Sequence, residues 1–388
     1  MFSRRFSTSQ MILFNSPIIR TLALLSFFLL ATCCTNAQPL TEKDWSQVDQ
    51  SVSRAVDWIV STQQRDGSFP TVPHGQPAVT SFGVLAMLAQ GELPDQGEHG
   101  QSLTRAIDYV LSTQKASGLL SNIGPRGKEI SHNVNHTMGQ TAVYNHAISA
   151  LMLSEAYTTT SSERSQKMQR AIEQALRVTL AEQRRPKRRK VDRGGWRYLD
   201  QVNFESADAD LSIIGWQLMF LRSAKNGGFD VPADAIEEAV GCIRRHFSQR
   251  TGRFNYYPNA SFGSRAMTGA GILALAHAGL HNTPEAQQAG KSLLEFSFTE
   301  YNMPKPGLDR YHYSLFQCSQ AAYQLGDDFW QRFSPPVFRT LLTNQNTNGS
   351  WDPEQTDHND GQYGGIYTTS LVVLSLSAPN QLLPIFQR

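Results

Sequence analysis

Cysteine is scarce: the 388 residues hold four, and two of these, Cys33 and Cys34, fall within the first 37. The remaining pair, Cys242 and Cys318, sit in apolar runs and are too few for a disulfide framework, and no cysteine pair has metal-ligand spacing. Charge of one sign is missing too, with 35 basic against 33 acidic side chains, which argues against a nucleic-acid partner. No stretch alternates apolar and polar residues with the period of two that marks β-strands. Nor is any apolar run long enough to span a bilayer comfortably. The run at 21–31 follows Arg4, Arg5 and Arg20 and gives way to small residues ending at Thr35-Asn36-Ala37, the pattern of a secretory leader. The expectation is export, to the periplasm or beyond, with 1–37 removed and 38–388 forming a single domain. Cys33, preceded by Leu30-Ala31-Thr32, stands where a bacterial lipoprotein is acylated, so a lipid-anchored form is the alternative.

Helical repeats fill the rest of the chain. A hydrophobic content of 40% allows a sizeable core. Amphipathic runs alternate with runs that are apolar almost all round: 52–62 with 79–89, 106–113 with 140–157, 171–183 with 207–224, 235–247 with 264–278, 285–298 with 311–325, and a last outer run before 367–374. A helix with one polar face belongs outside and one without belongs inside. Glutamine followed by glycine and an aromatic marks the corner after an outer run, at Gln345/Gly349/Trp351, Gln63/Gly67/Phe69, Gln114/Gly118 and Gln249/Gly252/Phe254. Gln63 and Gln114 are 51 positions apart and Gln249 and Gln345 are 96, two periods of a hairpin repeat with the fifth corner missing. Six such hairpins bury both faces of the apolar helices only as an inner ring within an outer one. The predicted fold is all-α, an α/α toroid. The corner glutamine is expected to bond orphan backbone groups at its helix end while the aromatic covers apolar surface.

These corners resemble the QW motif of the squalene-cyclase and protein-prenyltransferase superfamily over essentially the whole mature chain. The single-toroid exported bacterial members are similar through Tyr144-Asn145-His146-Ala147, Gly194-Gly195-Trp196-Arg197-Tyr198, Gly215-Trp216-Gln217 and Gly365-Ile366-Tyr367-Thr368-Thr369. The resemblance implies the toroid fold. It does not imply zinc-dependent prenyl transfer, because the segment matching Asp-x-Cys-Tyr-Ser-aromatic is Arg310-Tyr311-His312-Tyr313-Ser314-Leu315-Phe316, and Thr368 stands for the last zinc-binding histidine. No cofactor and no metal is expected. Against the Asp-x-Asp-Asp of triterpene cyclases the chain has Asp208-Ala209-Asp210-Leu211, so Asp210 takes the proton donor's place, with Asp208 beside it, unless either simply caps a helix.

The candidate catalytic residues are therefore Asp210, Asp208 and His146, and the candidate ligand-binding residues are Tyr144, Trp216, Tyr311, His312, Tyr313 and Tyr367, an aromatic set on inner helices suited to a carbocation, a greasy molecule or a sugar. His132 and His136 are four apart but lack the glutamate of a zinc-protease motif. Asp357, His358 and Asp360 form a faint acidic cluster of the kind a calcium-dependent polysaccharide lyase would need. The insertion carrying Arg184, Arg185, Lys187, Arg188, Arg189 and Lys190 reads as a solvated loop, with peripheral docking on anionic lipid as its functional alternative. The functional expectation is binding of an isoprenoid-like hydrophobic ligand or of a protein partner. A terpenoid-cyclase-like enzyme and a glycan-active toroid are the alternatives.

Overall fold

In α1 (Glu42–Ser61) the residues Val48, Val52, Ala55, Val56 and Ile59 recur at helical spacing and are buried on one face. Thr41 and Asp44 exchange backbone hydrogen bonds of 3.2 and 2.8 Å at its start, satisfying free N–H groups. The next helix, α2 (Ala78–Leu88), has no polar face, and every one of its residues is buried. This alternation runs through the computed structural model, which describes residues 38–122, 132–160, 162–199, 207–258, 260, 263–303, 309–354 and 359–388, the side chains of 132–139, 162 and 359 excepted. The expected leader, including Cys33, lies outside the described residues, as do Asp357 and His358. Pro39–Arg388 form one compact unit.

The helices that follow are α3 (Gly100–Ser112), α4 (His132–Ala156), α5 (Ser162–Arg184), α6 (Leu211–Asn226), α7 (Ala233–Arg245), α8 (Arg265–His277), α9 (Pro284–Leu293), α10 (Tyr311–Leu325), α11 (Asp327–Thr343) and α12 (Gly364–Leu376). Each even-numbered helix packs on the next, and α12 packs on α2, so six inner helices close a ring with the odd-numbered helices outside it. This is the α/α toroid that the repeats predict. No described helix is long and apolar enough to cross a membrane.

Three local expectations are corrected. The second inner helix begins at His132, eight residues before Gln140, so His132 and His136 lie on helical backbone and not in a loop, despite the weak helix propensity of Asn, His and Gly. The third begins at Leu211 because Asp210 caps it. A ribbon of β1 (Phe247–Ser248) and β2 (Arg253–Phe254) forms where none was expected, its two-residue strands being too short to show alternation.

The corner glutamines do more than close their own helix ends. Gln63 Nε2 donates to Gly67 O of its own turn (2.9 Å) and to Ser102 O of the next outer helix (2.8 Å). Gln114 repeats this with Gly118 O and Ala171 O, Gln183 with Gly194 O and Ala235 O, and Gln345 with Gly349 O and Ser51 O, all between 2.7 and 3.0 Å. The glutamine Oε1 is used as well: Gln63 accepts from Ser102 Oγ and Arg105, and Gln345 from Ser51 Oγ and Arg54. Gln345 thereby joins α11 to α1 and closes the outer layer. Gln249 is the exception among the corners read from sequence; there Gln288 Nε2 reaches the Gln249 backbone oxygen at 3.3 Å. The corner aromatics are buried, and Trp351 and Trp196 donate from Nε1 to Leu341 O and Thr179 O.

Beyond α12 the chain turns back, and Pro384–Phe386 pack against α6. Glu155, buried at the end of α4, accepts from Ser223 Oγ and from Ile385 N (3.2 Å). Burial pushes its carboxyl up to about 7.

Two outcomes follow from these contacts. A Cβ on Gly349 (φ 93°) would lie 2.3 Å from Arg54 O, whereas one on Gly279 (φ 74°) meets nothing within 4 Å. Both alanine variants carry the left-handed penalty of about 1–2 kcal/mol; Gly349→Ala should lose clearly more in urea unfolding, because the junction of α11 and α1 must also part. For Glu155, a folded-state pKa raised from 4.5 to about 7 means that its contribution is fully present below the unfolded value and is lost as pH rises through the folded one, on the order of 3 kcal/mol. Glu155→Gln keeps an acceptor for Ile385, and thermal melts from pH 5 to 8 should show it losing less stability than the parent.

Candidate functional site

The inner helices α6, α10 and α12 begin at one face of the ring, and polar side chains gather there. Asp210, the N-cap of α6, is fully buried. It accepts from Ser212 N at 2.9 Å, Ser212 Oγ at 2.5 Å and Arg197 Nη1 at 3.1 Å. Tyr144 OH, on α4, donates in turn to Ser212 Oγ at 2.6 Å. Burial pushes the Asp210 carboxyl above its ordinary value, against the pull of Arg197 and of the Ser212 hydrogen bonds. The Arg197 guanidinium lies over the rings of Tyr198 (4.5 Å) and Tyr256 (5.3 Å), whose hydroxyls are 2.7 Å apart. Burial pushes the Tyr198 phenol up to about 12.

A second set stands at the starts of α10 and α12. Arg310, the residue before α10, donates to Asp360 Oδ1, and Tyr367 OH donates to Asp360 Oδ2 at 3.0 Å. Burial raises Asp360 above its ordinary value, opposed by Arg310. The Tyr313 hydroxyl is buried without a hydrogen-bond partner; burial and then the charges of Asp210 and Asp360 raise its pKa, and its ring lies 6.3 Å from that of Trp216. The face of the toroid therefore presents Tyr144, Tyr198, Tyr256, Tyr313, Tyr363 and Tyr367 around two Arg–Asp pairs.

Below this mouth the ring is packed with its own aromatic side chains. Trp216 stacks on Phe316 (5.6 Å, 3°), and Phe82 meets both Trp216 (5.4 Å) and Tyr367 (5.7 Å) edge-on. Trp216, Phe82 and Phe316 are each exposed by 2% or less.

The other sequence candidates lie elsewhere. His146 accepts from Leu120 N at Nδ1 (3.2 Å), and its Nε2 faces Thr179 Oγ1 (3.1 Å), which itself donates to Gln217. Both nitrogens are occupied, and burial pushes the ring down to about 4, so it is a neutral core residue joining α4, α5 and α6. Asp208 forms a fork with Arg188, with contacts of 2.6 and 2.9 Å, outside the Asp210 set. Tyr311 is fully buried and donates to Phe298 O. His312 is enclosed with Glu354 (3.4 Å) and Tyr301 (3.3 Å). In the basic insertion Arg185 pairs with Glu182, Arg188 with Asp208 and Arg189 with Asp192, and Lys187 Nζ donates to Glu182 O, so these four are engaged by the chain itself. Grooves of about 570 and 380 Å³ run along the outer helices, away from the mouth, and the larger is crossed by Arg164 bound to Asp95 and Asp108. Among the described residues no three His, Cys, Asp or Glu side chains converge as a metal site.

Sequence reasoning missed Arg197 and Arg310 as site residues and assigned Asp360 to an acidic cluster. The signal for Arg197 was present in Gly-Gly-Trp-Arg-Tyr, where Trp196 serves the corner and the next two residues reach the mouth. For Arg310 it was the replacement of an expected acid by a base.

No protein-family model matches the chain, and no curated protein matches it. Among solved structures it is similar to the type II terpene cyclase MstE from Scytonema, with 16% identity, 87% of this chain and 100% of that one covered and a TM-score of 0.54. That enzyme is also known with its substrate geranylgeranyl dihydroxybenzoate, matched at 15% identity over 89% and 100% with a TM-score of 0.53. An unsaturated glucuronyl hydrolase specific for heparin matches at 11% identity over 85% of this chain and 96% of that one, TM-score 0.57. A family 76 glycoside hydrolase from Bacteroides thetaiotaomicron matches at 9% over 85% and 77%, TM-score 0.56. Identities this low show a shared α/α-toroid fold and leave function to the site.

The Asp210 set makes a stability prediction. Asp210→Ala removes the cap of α6 and strands a guanidinium that is 12% exposed, so it should cost about 3–5 kcal/mol in chemical denaturation. Asp210→Asn keeps an acceptor for Ser212 N and should cost less.

Proposed function

We propose that the mouth of the toroid binds a hydroxyl-rich, sugar-like ligand. The observation that carries this reading is the concentration of six tyrosines around two Arg–Asp pairs, above a floor already filled by Trp216, Phe82 and Phe316. Tyrosine offers a flat apolar face for sugar C–H groups and a hydroxyl at its edge, and paired Arg and Asp offer donors and acceptors without net charge. By analogy of fold alone, two structural neighbours bear names of glycan-active enzymes. Export, which the leader leads us to propose, would bring such a site to polysaccharide outside the cytoplasm.

A hydrophobic, isoprenoid-like ligand is the second reading. It is supported by the aromatic floor and by the neighbour known with geranylgeranyl dihydroxybenzoate, and it requires the Trp216 stack to open. In a cyclase Asp210 would have to deliver a proton; burial raises its carboxyl, and its oxygens here accept from Ser212 and Arg197 as the cap of α6.

Calorimetric titration of the mature protein with neutral and acidic oligosaccharides, beside native mass spectrometry with lipid extraction, tests the two. The expected result is saturable oligosaccharide binding, weakened at least tenfold by Tyr144→Ala, about 1.4 kcal/mol. A co-purifying isoprenoid lost on Trp216→Ala, with no oligosaccharide bound, would overturn the sugar reading in favour of the second.

A further inference from the structure

Most hydroxyl and charged groups at the mouth are already paired with one another, and two buried oxygens without a hydrogen-bond partner, Tyr313 OH and Gln317 Oε1, lie on α10. Tyr313 and Gln317 are four apart on one face of α10, and Arg310 stands on extended backbone just before its first turn. Among the described residues the Arg310 guanidinium meets one acceptor, Asp360, and its side chain is 27% exposed against 9% for that partner. The other arginine pair is closed: Arg197 is 12% exposed and covered by two tyrosine rings. Tyr313 OH and Gln317 Oε1 are buried and face each other without closing a hydrogen bond. Tyr367 shares the Asp360 carboxylate with Arg310, and the Tyr363 ring lies 5.5 Å from that of Tyr367.

We infer, resting on the sugar reading above, that this face of α10 is the seat of a carboxylate with a neighbouring hydroxyl, so that the ligand is a uronic-acid-containing glycan. A guanidinium fork with donors to spare recognises a planar carboxylate better than it does a hydroxyl. Tyr313 OH and Gln317 Oε1 then take the adjacent sugar hydroxyl, which can donate to one and accept from the other. The arrangement does not suit a diphosphate: the other arginine of the mouth, Arg197, is held by Asp210, and Asp360 and Glu354 would repel a dianion. A monoanion is accommodated because Asp360, faced by Arg310, Tyr367, Tyr363, Tyr313 and Glu354, can take up a proton as the carboxylate binds.

The test compares oligogalacturonate with its methyl ester, the same sugar without charge, by calorimetry on the whole mature chain. The free acid should bind at least tenfold more tightly than the ester, and more tightly at pH 5 than at pH 8. Arg310→Gln should abolish the preference, weakening the acid at least tenfold more than the ester, and Arg310→Lys should keep part of it. Tyr313→Phe should weaken acid and ester alike without lowering the melting temperature, since its hydroxyl has no protein partner to lose; that variant keeps the test open should Arg310→Gln fail to fold. Equal binding of acid and ester, or a preference that survives in Arg310→Gln, would overturn the carboxylate seat and leave the sugar reading standing. Binding of neither would overturn both. A prenylated hydroxybenzoate bound with the same Arg310 dependence would overturn the glycan and keep the seat for an apolar acid.

Discussion

Four of the six hairpins of this toroid are registered to the next by one side chain, the corner glutamine, whose amide must satisfy two backbones at once. Its two N–H groups divide between the carbonyl of its own turn and a carbonyl of the following outer helix, while its oxygen can collect a serine hydroxyl and an arginine from that helix. Asparagine would be too short to span the gap, and glutamate would turn donors into repelled acceptors. The glycine four residues on makes the approach possible, since a Cβ at Gly67, Gly118 or Gly349 would stand 2.3–2.6 Å from a backbone oxygen of the adjacent outer helix. With that spacing set, the curvature of the outer layer follows. The starts of the inner helices then converge on one face, and the site exists because of that convergence.

The same constraint explains how the ring tolerates two missing corners. Among the described residues between α7 and α11 no glutamine bridges the outer helices in this way, and the β1–β2 ribbon occupies one corner. In its place a buried ion pair works from the inside: Arg265, 3% exposed at the start of α8, donates to Asp309 before α10 (2.7 Å) and to Ser297 O (2.7 Å), and Ser314 Oγ completes Asp309 at 2.6 Å. The guanidinium also covers the ring of Phe298 at 4.4 Å. Such a pair costs less in a dry interior the more of its valences are filled: one Asp309 oxygen takes the guanidinium and the other a hydroxyl, while Arg265 Nη2 has no hydrogen-bond partner among the described residues. The load moves from the outer layer to the inner one where the repeat degenerates.

What the sequence made legible was local. The alternation of helix types and the Gln-to-Gly spacing of four are both written within one hairpin, and they led to the ring without any long-range information. The site was half legible for the complementary reason. Tyr144, Tyr313 and Tyr367 could be placed on inner helices, but consecutive residues of a helix point about 100° apart, so of Tyr311, His312 and Tyr313 only the last belongs to the mouth. Arg310 and Asp360 are 50 positions apart, and their pairing depends on where two different hairpins come to rest. His146 shows the same dependence on distant segments: its partners, Leu120 N and Thr179 Oγ1, come from two other parts of the chain.

The division between a polar mouth and a packed floor decides what kind of ligand gains free energy on binding. An apolar chain entering the ring must displace the Trp216–Phe316 stack and the edge of Phe82, exchanging one set of buried apolar contacts for another with little net change in area. At the mouth the exchange is with water and is uneven from group to group. Tyr144 with Ser212, Tyr198 with Tyr256 and Tyr367 with Asp360 already satisfy one another, so a ligand hydroxyl there replaces a bond that exists. A buried group with no partner is different, because it carries its desolvation cost in the empty protein and recovers it only when a ligand supplies the missing half. Affinity at this site is therefore concentrated where the protein leaves hydrogen-bonding capacity unfilled, along α10, and the paired groups around it act as the polar wall that shapes the seat.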